Sequence, residues 1–147
     1  MPENEVLERA RKDKREGKAP STQAGEFVRE EIEHIREGKH GARSAKQAIA
    51  IGLSKARRAG VELPPPAQGS ASKETREQAA RDLSKARNPK KKTSAKRSRA
   101  MSRVLKREGS SAASKTALSR HARSAAAKRS AASRSRSAKK AALTRKK

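Results

Sequence analysis

Ser44-Ala45-Lys46-Gln47-Ala48-Ile49-Ala50-Ile51-Gly52-Leu53-Ser54-Lys55-Ala56-Arg57-Arg58-Ala59-Gly60-Val61 is the stretch whose reading decides the fold. Ser44 and Gln47 stand at capping-box spacing, where the serine hydroxyl accepts from the Gln47 amide and the Gln47 side chain reaches back to the Ser44 N–H. Ile49, Leu53 and Ala56 share one stripe of a helix, widened by Ala48 and Ile51. Lys55, Arg57 and Arg58 suit the negative end of the helix dipole, and Gly60 followed by Val61 matches a glycine-terminated helix whose next apolar residue folds back. The spacing therefore predicts a helix over 45–59.

Upstream, a second helix is predicted over 22–37, capped by Ser21 or Thr22 and stopped by Gly38. Phe27, Val28, Ile32 and Ile35 give it an apolar face, which leaves Glu30, Glu31, Glu33 and Glu37 as a solvated face or an acidic patch able to hold the chain's own tail. The short loop 38–43 favours an antiparallel hairpin. A polar helix over 4–16, with Val6, Leu7, Ala10 and a stop at Gly17, would be marginal alone. The expected core is Phe27, Val28, Ile32, Ile35, Ile49, Ile51 and Leu53, joined by Val61 and Leu63, and the head spans 1–63. That core is thin, at about 1.5 to 3 kcal/mol for each fully buried side chain.

Downstream, Pro64-Pro65-Pro66 and the residues to Ala71 read as a linker over 64–71, followed by a single helix over 72–88 capped by Ser72. Leu83-Ser84-Lys85-Ala86-Arg87 echoes Leu53-Ser54-Lys55-Ala56-Arg57, a weak sign of duplication. From 89 to 147 the chain is a basic, low-complexity tail. Residues 1–66 hold 14 bases and 11 acids, a net +3, whereas 67–147 hold 26 bases and 4 acids, a net +22. After Gly109 there is no acid, and Leu118 and Leu143 are the large apolar residues. Such composition does not offset the entropy of folding through burial. The expected fold class is all-α: a small helical hairpin head followed by a largely disordered or conditionally helical polycationic tail. Within the tail, Met101, Val104 and Leu105 suggest one short helix, and phosphate would induce more by removing cation repulsion.

A polycation of this kind points to nucleic acid, because each base that meets a phosphate releases condensed counterions. The densest contacts expected are Lys90, Lys91, Lys92, Lys96, Arg97, Arg99, Arg103, Lys106 and Arg107. Reach is added by Lys115, Arg120, Arg123, Lys128, Arg129, Arg134, Arg136, Lys139 and Lys140. With Phe27 the one aromatic, base stacking has no platform, and nothing fixes a groove-reading register, so non-specific backbone contact is expected. DNA is placed ahead of RNA as partner. Self-association or a protein partner through the head is the alternative, as is an RNA- or ribosome-associated role.

Other chemistries find little support. There is no cysteine, and His34, His40 and His121 are read as solvated, so no metal site is expected. No nucleophile elbow, phosphate loop or framed carboxylate pair marks an enzyme, and no cofactor is expected. A helix-turn-helix reading of 38–44 suffers from a long loop and an Ile- and Ala-rich second helix. No apolar run suits a membrane span and the N-terminus lacks a signal pattern, so a cytoplasmic, nucleoid location is expected. In a eukaryotic source Lys90 to Arg99 would serve as an import signal.

His34-Ile35-Arg36-Glu37-Gly38-Lys39-His40-Gly41, followed by Ser44 to Arg57, resembles a family of small, basic, functionally uncharacterised bacterial proteins. Their shared pattern is a glycine-containing basic loop leading into a Lys-Gln-Ala-Ile-Ala-Ile-Ala-Leu-Ser-x-Ala helix, and Gly52 stands here where that pattern has Ala. The likeness covers about a third of the chain and implies no mechanism. Separately, the tail resembles the Lys/Ala/Ser-rich arms of linker histones and bacterial histone-like proteins, a compositional likeness that implies nucleoid or chromatin association.

Overall fold

A computed structural model describes residues 3–89 and 92–146, which form seven α-helices and one 3₁₀ turn, with no strand among them. The helices are α1 (Asn4–Arg15), α2 (Pro20–Arg36), α3 (Ala45–Arg58), α4 (Lys73–Arg87), α5 (Ala95–Arg107), α6 (Lys115–Ala127) and α7 (Ala131–Arg145), and the 3₁₀ turn is Ser111–Ala113. The central pair is α2 with α3, flanked by α1 on α2 and by α4 on α3.

Helix α3 begins where its cap places it. The Ser44 hydroxyl accepts from the Gln47 amide at 3.1 Å, while the Gln47 carbonyl oxygen accepts from the Arg43 N–H at 2.6 Å, one residue before the expected Ser44 donor. At its end Gly60 takes φ 99°, so the Val61 N–H turns back to the Ala56 carbonyl at 3.0 Å and Val61 is buried over the last turn. Helix α2 starts earlier than expected. Pro20 occupies its first turn after Ala19, because proline lacks only an N–H that a helix start leaves unused. Ser21 and Thr22 therefore lie inside the helix and cap nothing.

Two small cores result. One gathers Val6, Ala10, Ala24, Phe27, Ala56 and Val61, with Leu7, Leu53 and Leu63 packed at its edge. The other gathers Ile35, Ala42, Ala48, Ala112 and Ala113, with Ile32 beside it. Of the expected core, Phe27, Ile35 and Val61 are buried, while Val28, Ile32, Ile49, Ile51, Leu53 and Leu63 are half-buried. Alanine fills much of the remainder because the helices run close: a Cβ added at Gly52 would stand 2.6 Å from the Val28 Cα. Glycine at 52 lets the two backbones meet.

Charge is also buried here, against expectation. Glu30 and Glu31 lie inside, at 3% and 1% exposure, and His34 and His40 keep only 13% and 16% of their side chains in solvent. Glu31 meets Lys55 Nζ at 2.5 Å and His40 Nε2, so the acid is paired within the head and is not a patch for the tail. Arg57 is buried as well and donates to the Leu63 and Pro64 carbonyls at 3.1 and 3.2 Å, holding the start of the proline stretch against α3. Burial pushes its pKa down, and the charge of Asp82 opposes that shift. Asp82, buried on α4, accepts from Ser54 Oγ at 2.6 Å and from Gln78 Nε2 at 3.2 Å.

The tail departs furthest from expectation. It is helical in the free chain, and a largely disordered 89–147 is not supported. Ser114 and Ser130 cap α6 and α7, accepting from the Ala117 and Ser133 amides at 3.1 Å each. Ala, Lys and Arg have strong helix propensity, and like-charge pairs three or four residues apart cost only about 0.2 to 0.5 kcal/mol each. Repulsion therefore falls short of melting the helices.

Two outcomes are expected. Gly52→Ala gains about 1 kcal/mol of helix propensity but overpacks the crossing by about 1 to 3 kcal/mol. Chemical denaturation should accordingly show a net loss of up to about 2 kcal/mol and no gain. Far-ultraviolet circular dichroism of the full-length protein should show the helix of all seven elements without nucleic acid, with little further gain at saturating duplex DNA.

Candidate nucleic-acid interface

Helix α5 orders the cations that composition could only count. At about 100° per residue, Lys96, Arg99, Arg103, Lys106 and Arg107 fall within about 100° of one face. Arg97 lies across the helix with Met101, Val104 and Leu105. All six bases are exposed, and α5 contributes no residue to either core. Lys92 is exposed just ahead of the helix, and Lys90 and Lys91 lie outside the described residues.

Helix α6 presents Lys115, Arg120 and Arg123 on one exposed face, while Ala117, Leu118 and His121 are half-buried on the other. This helix packs on α3. Lys128 and Arg129 follow at its end, where Arg129 turns back to donate to Ser133 Oγ at 3.0 Å and to Ser137 Oγ. On α7, Arg136, Lys139 and Lys140 are exposed within about 100° of one face, and Arg134 lies on the opposite side. Arg145 and Lys146, not singled out from the sequence, are exposed there too.

No described base from Lys92 onward has a carboxylate within ion-pair distance, because Glu108 is the one acid there and lies 3.9 Å from Arg43 of the head. The head, by contrast, pairs its charges internally, as in Arg9 with Glu26 at 2.8 Å and Lys18 with Asp13 at 2.7 Å. The Lys18 ammonium is held above the usual lysine range by its hydrogen bonds to Asp13 and Glu16.

Sequence reading missed how this tail is fastened. The Gly41 N–H donates to the Leu105 carbonyl at 2.8 Å, and the Ala42 N–H to the Gly109 carbonyl at 3.1 Å. Ala112 and Ala113 are buried against Ile35, Ala42 and Ala48, and Arg36 Nε donates to the Ala113 carbonyl at 2.9 Å. The end of α5 and the 3₁₀ turn thus form a strap across the α2–α3 loop. Gly41 makes the approach feasible, since a Cβ there would lie 1.9 Å from the Glu108 carbonyl oxygen. Two adjacent alanines carry no amphipathic signal, which is why the strap is invisible to periodicity.

Residues 8–67 match the model of a family of unknown function, DUF6496. The matched span holds most of α1, all of α2 and α3 and the glycines at 41 and 52, and it stops before the basic helices. No curated protein and no solved structure matches the chain. Among the described residues no helix is long and apolar enough to cross a membrane.

The strap yields a sharp test. Gly41→Ala should detach residues 105–113 while leaving the α1–α2–α3 core intact. Hydrogen exchange should then rise by at least about tenfold at the amides of Gly41 and Ala42, with the amides of α3 little changed.

Proposed function

We propose that this protein binds the phosphate backbone of nucleic acid without reading sequence, as a nucleoid-associated coating protein of bacterial type, with duplex DNA as its first partner. The single observation that carries the reading is the exposed, acid-free set of bases on α5 and α6. A face of five unpaired cations on one helix of about 20 Å can lie along a polymer that carries one negative charge per about 1.7 Å of axis. Counterion release then supplies the affinity, and the near-neutral head positions the basic helices. The resemblance of the tail to histone-like arms agrees with this reading. No catalytic step is part of this reading.

Replacing Lys96, Arg99, Arg103 and Arg107 together with Gln in the full-length chain should lower the slope of log K against log salt by about 3 to 4 units, at about 0.9 per phosphate contact. The loss should be equal on unrelated duplexes, and parallel titration with RNA sets the preference between polymers. An unchanged slope, or a loss confined to one DNA sequence, would overturn the proposal.

A further inference from the structure

The carboxylates and histidines buried between α2, its C-terminal loop and the start of α1 have no part in a phosphate-binding surface. Glu31, His34 and His40 each bring a ligand-type atom within 4.8 Å of the others, and Glu3, Glu30 and His34 form a second such group that shares His34. The spacing has a local cause. Glu31 and His34 are three apart on α2 and share a face, and the turn at Gly38 swings His40 back beside them.

Oxygen acceptors orient both rings. His40 Nδ1 lies 2.9 Å from the Gly41 carbonyl oxygen, which only accepts, so Nδ1–H donates to it. Its Nε2 faces Glu31 Oε1, another acceptor. His34 Nε2 lies 3.3 Å from Glu3 Oε1. The hydrogen bond from His34 is the largest cause holding the Glu3 carboxyl below its usual range. Each imidazole is thus oriented by an outer oxygen acceptor, as metal-binding histidines usually are.

A separate observation points the same way. Glu30 accepts from the Glu3 N–H at 2.7 Å through Oε1, while its Oε2 is shut off from water and has no hydrogen-bond partner. Both Glu31 oxygens are buried without a partner in hydrogen-bonding geometry, although Lys55 Nζ stands 2.5 Å from Oε2. Lys55 offsets charge at Oε2, while Oε1 faces His40 Nε2 directly.

We infer that Glu31, His34 and His40 form a binding site for one divalent transition-metal cation of the zinc class, with Glu3 and Glu30 as supporting carboxylates. Two imidazoles and one carboxylate suit Zn²⁺ or Co²⁺ far better than Mg²⁺, which prefers an all-oxygen octahedron. The chain holds no cysteine, so thiolates cannot compete for the ion. Three protein ligands leave a position for water on the solvent side, where Glu3 is exposed. The cation would tie α2 to its loop and to the start of α1, independently of any nucleic-acid contact.

The test is titration of the full-length, metal-free protein with CoCl₂ and ZnCl₂, followed by visible absorption and calorimetry. The expected result is one equivalent of Co²⁺ with the d–d absorption of a nitrogen- and oxygen-ligated ion, displaced by Zn²⁺ and not by Mg²⁺. His34→Asn and His40→Asn should each weaken binding by at least about tenfold, while His121→Asn, outside the cluster, leaves it unchanged. Absence of saturable stoichiometric binding, or equal binding by the His34→Asn/His40→Asn double variant, would overturn the inference. If circular dichroism shows that the double variant has lost its fold, X-ray absorption of the wild-type zinc complex decides. Two imidazole shells support the site, and a shell of oxygens alone overturns it.

Discussion

A single methyl group would not fit where α3 crosses α2, and the arrangement of the head follows from that constraint. With Gly52 against the Val28 backbone, the two helices come close enough for small side chains to complete the packing. Ala24, Ala48 and Ala56 are fully buried, opposite the few large residues the sequence provides. Dispersion depends steeply on separation, so a core poor in large side chains must bring its backbones together to gain contact. The same crossing sets Lys55, one turn beyond Gly52, against Glu31, one turn beyond Val28, and so allows a carboxylate to be buried with a partner.

The device recurs at Gly41, where backbone meets backbone and the tail is fastened to the head. Charge has little part in that attachment. The contact joins alanines, main-chain hydrogen bonds and one arginine reaching a carbonyl, with Arg43 and Glu108 the nearest ion pair at 3.9 Å. Most acids of the head are meanwhile engaged by bases of the head, and no described cation of α5 to α7 has a carboxylate within ion-pair distance. A folded, near-neutral body carrying an unneutralised basic surface projects its field outward.

What could be read from the residues divides along the range of the interactions. Helix α3 was legible because its cap at Ser44 and its stop at Gly60 lie within a few residues of the helix. The start of α2 was not, because Pro20 reads both as a break and as a first-turn residue, and the caps offered by Ser21 and Thr22 favoured the former. Helical spacing sets Glu31 between Phe27, Val28 and Ile35 on the apolar face, but its charge argued for solvent, and what offsets that charge inside is Lys55, twenty-four positions away, with a loop that returns His40. The histidine cluster was visible as two histidines six apart, but nothing local fixed their rings. The strap was beyond reach, since Ala112 and Ala113 resemble every other alanine in a biased tail. For the tail helices, composition argued for disorder, and the caps that Ser114 and Ser130 supply went unread. The basic residues were legible as a set, and their alignment on α5 was latent in the spacing of Lys96, Arg99, Arg103 and Arg107.

The loop between α2 and α3 joins these threads at the level of single peptide groups. The His40 ring is oriented by the Gly41 carbonyl, the Gly41 N–H holds the end of α5, and the next N–H, at Ala42, holds Gly109. Ala42 itself is buried between Ile35 and Ala48. Consecutive residues thus face a buried carboxylate, the root of the basic tail and the hydrophobic core, and none can rotate without disturbing the others. A charge placed between Glu31 and His40 would therefore bear on the loop to which α5 is fastened. Loss of the 109–113 packing would in turn free the loop that carries His40. The short connection predicted from the sequence as a simple hairpin turn is the joint through which the two halves of the chain are mechanically coupled.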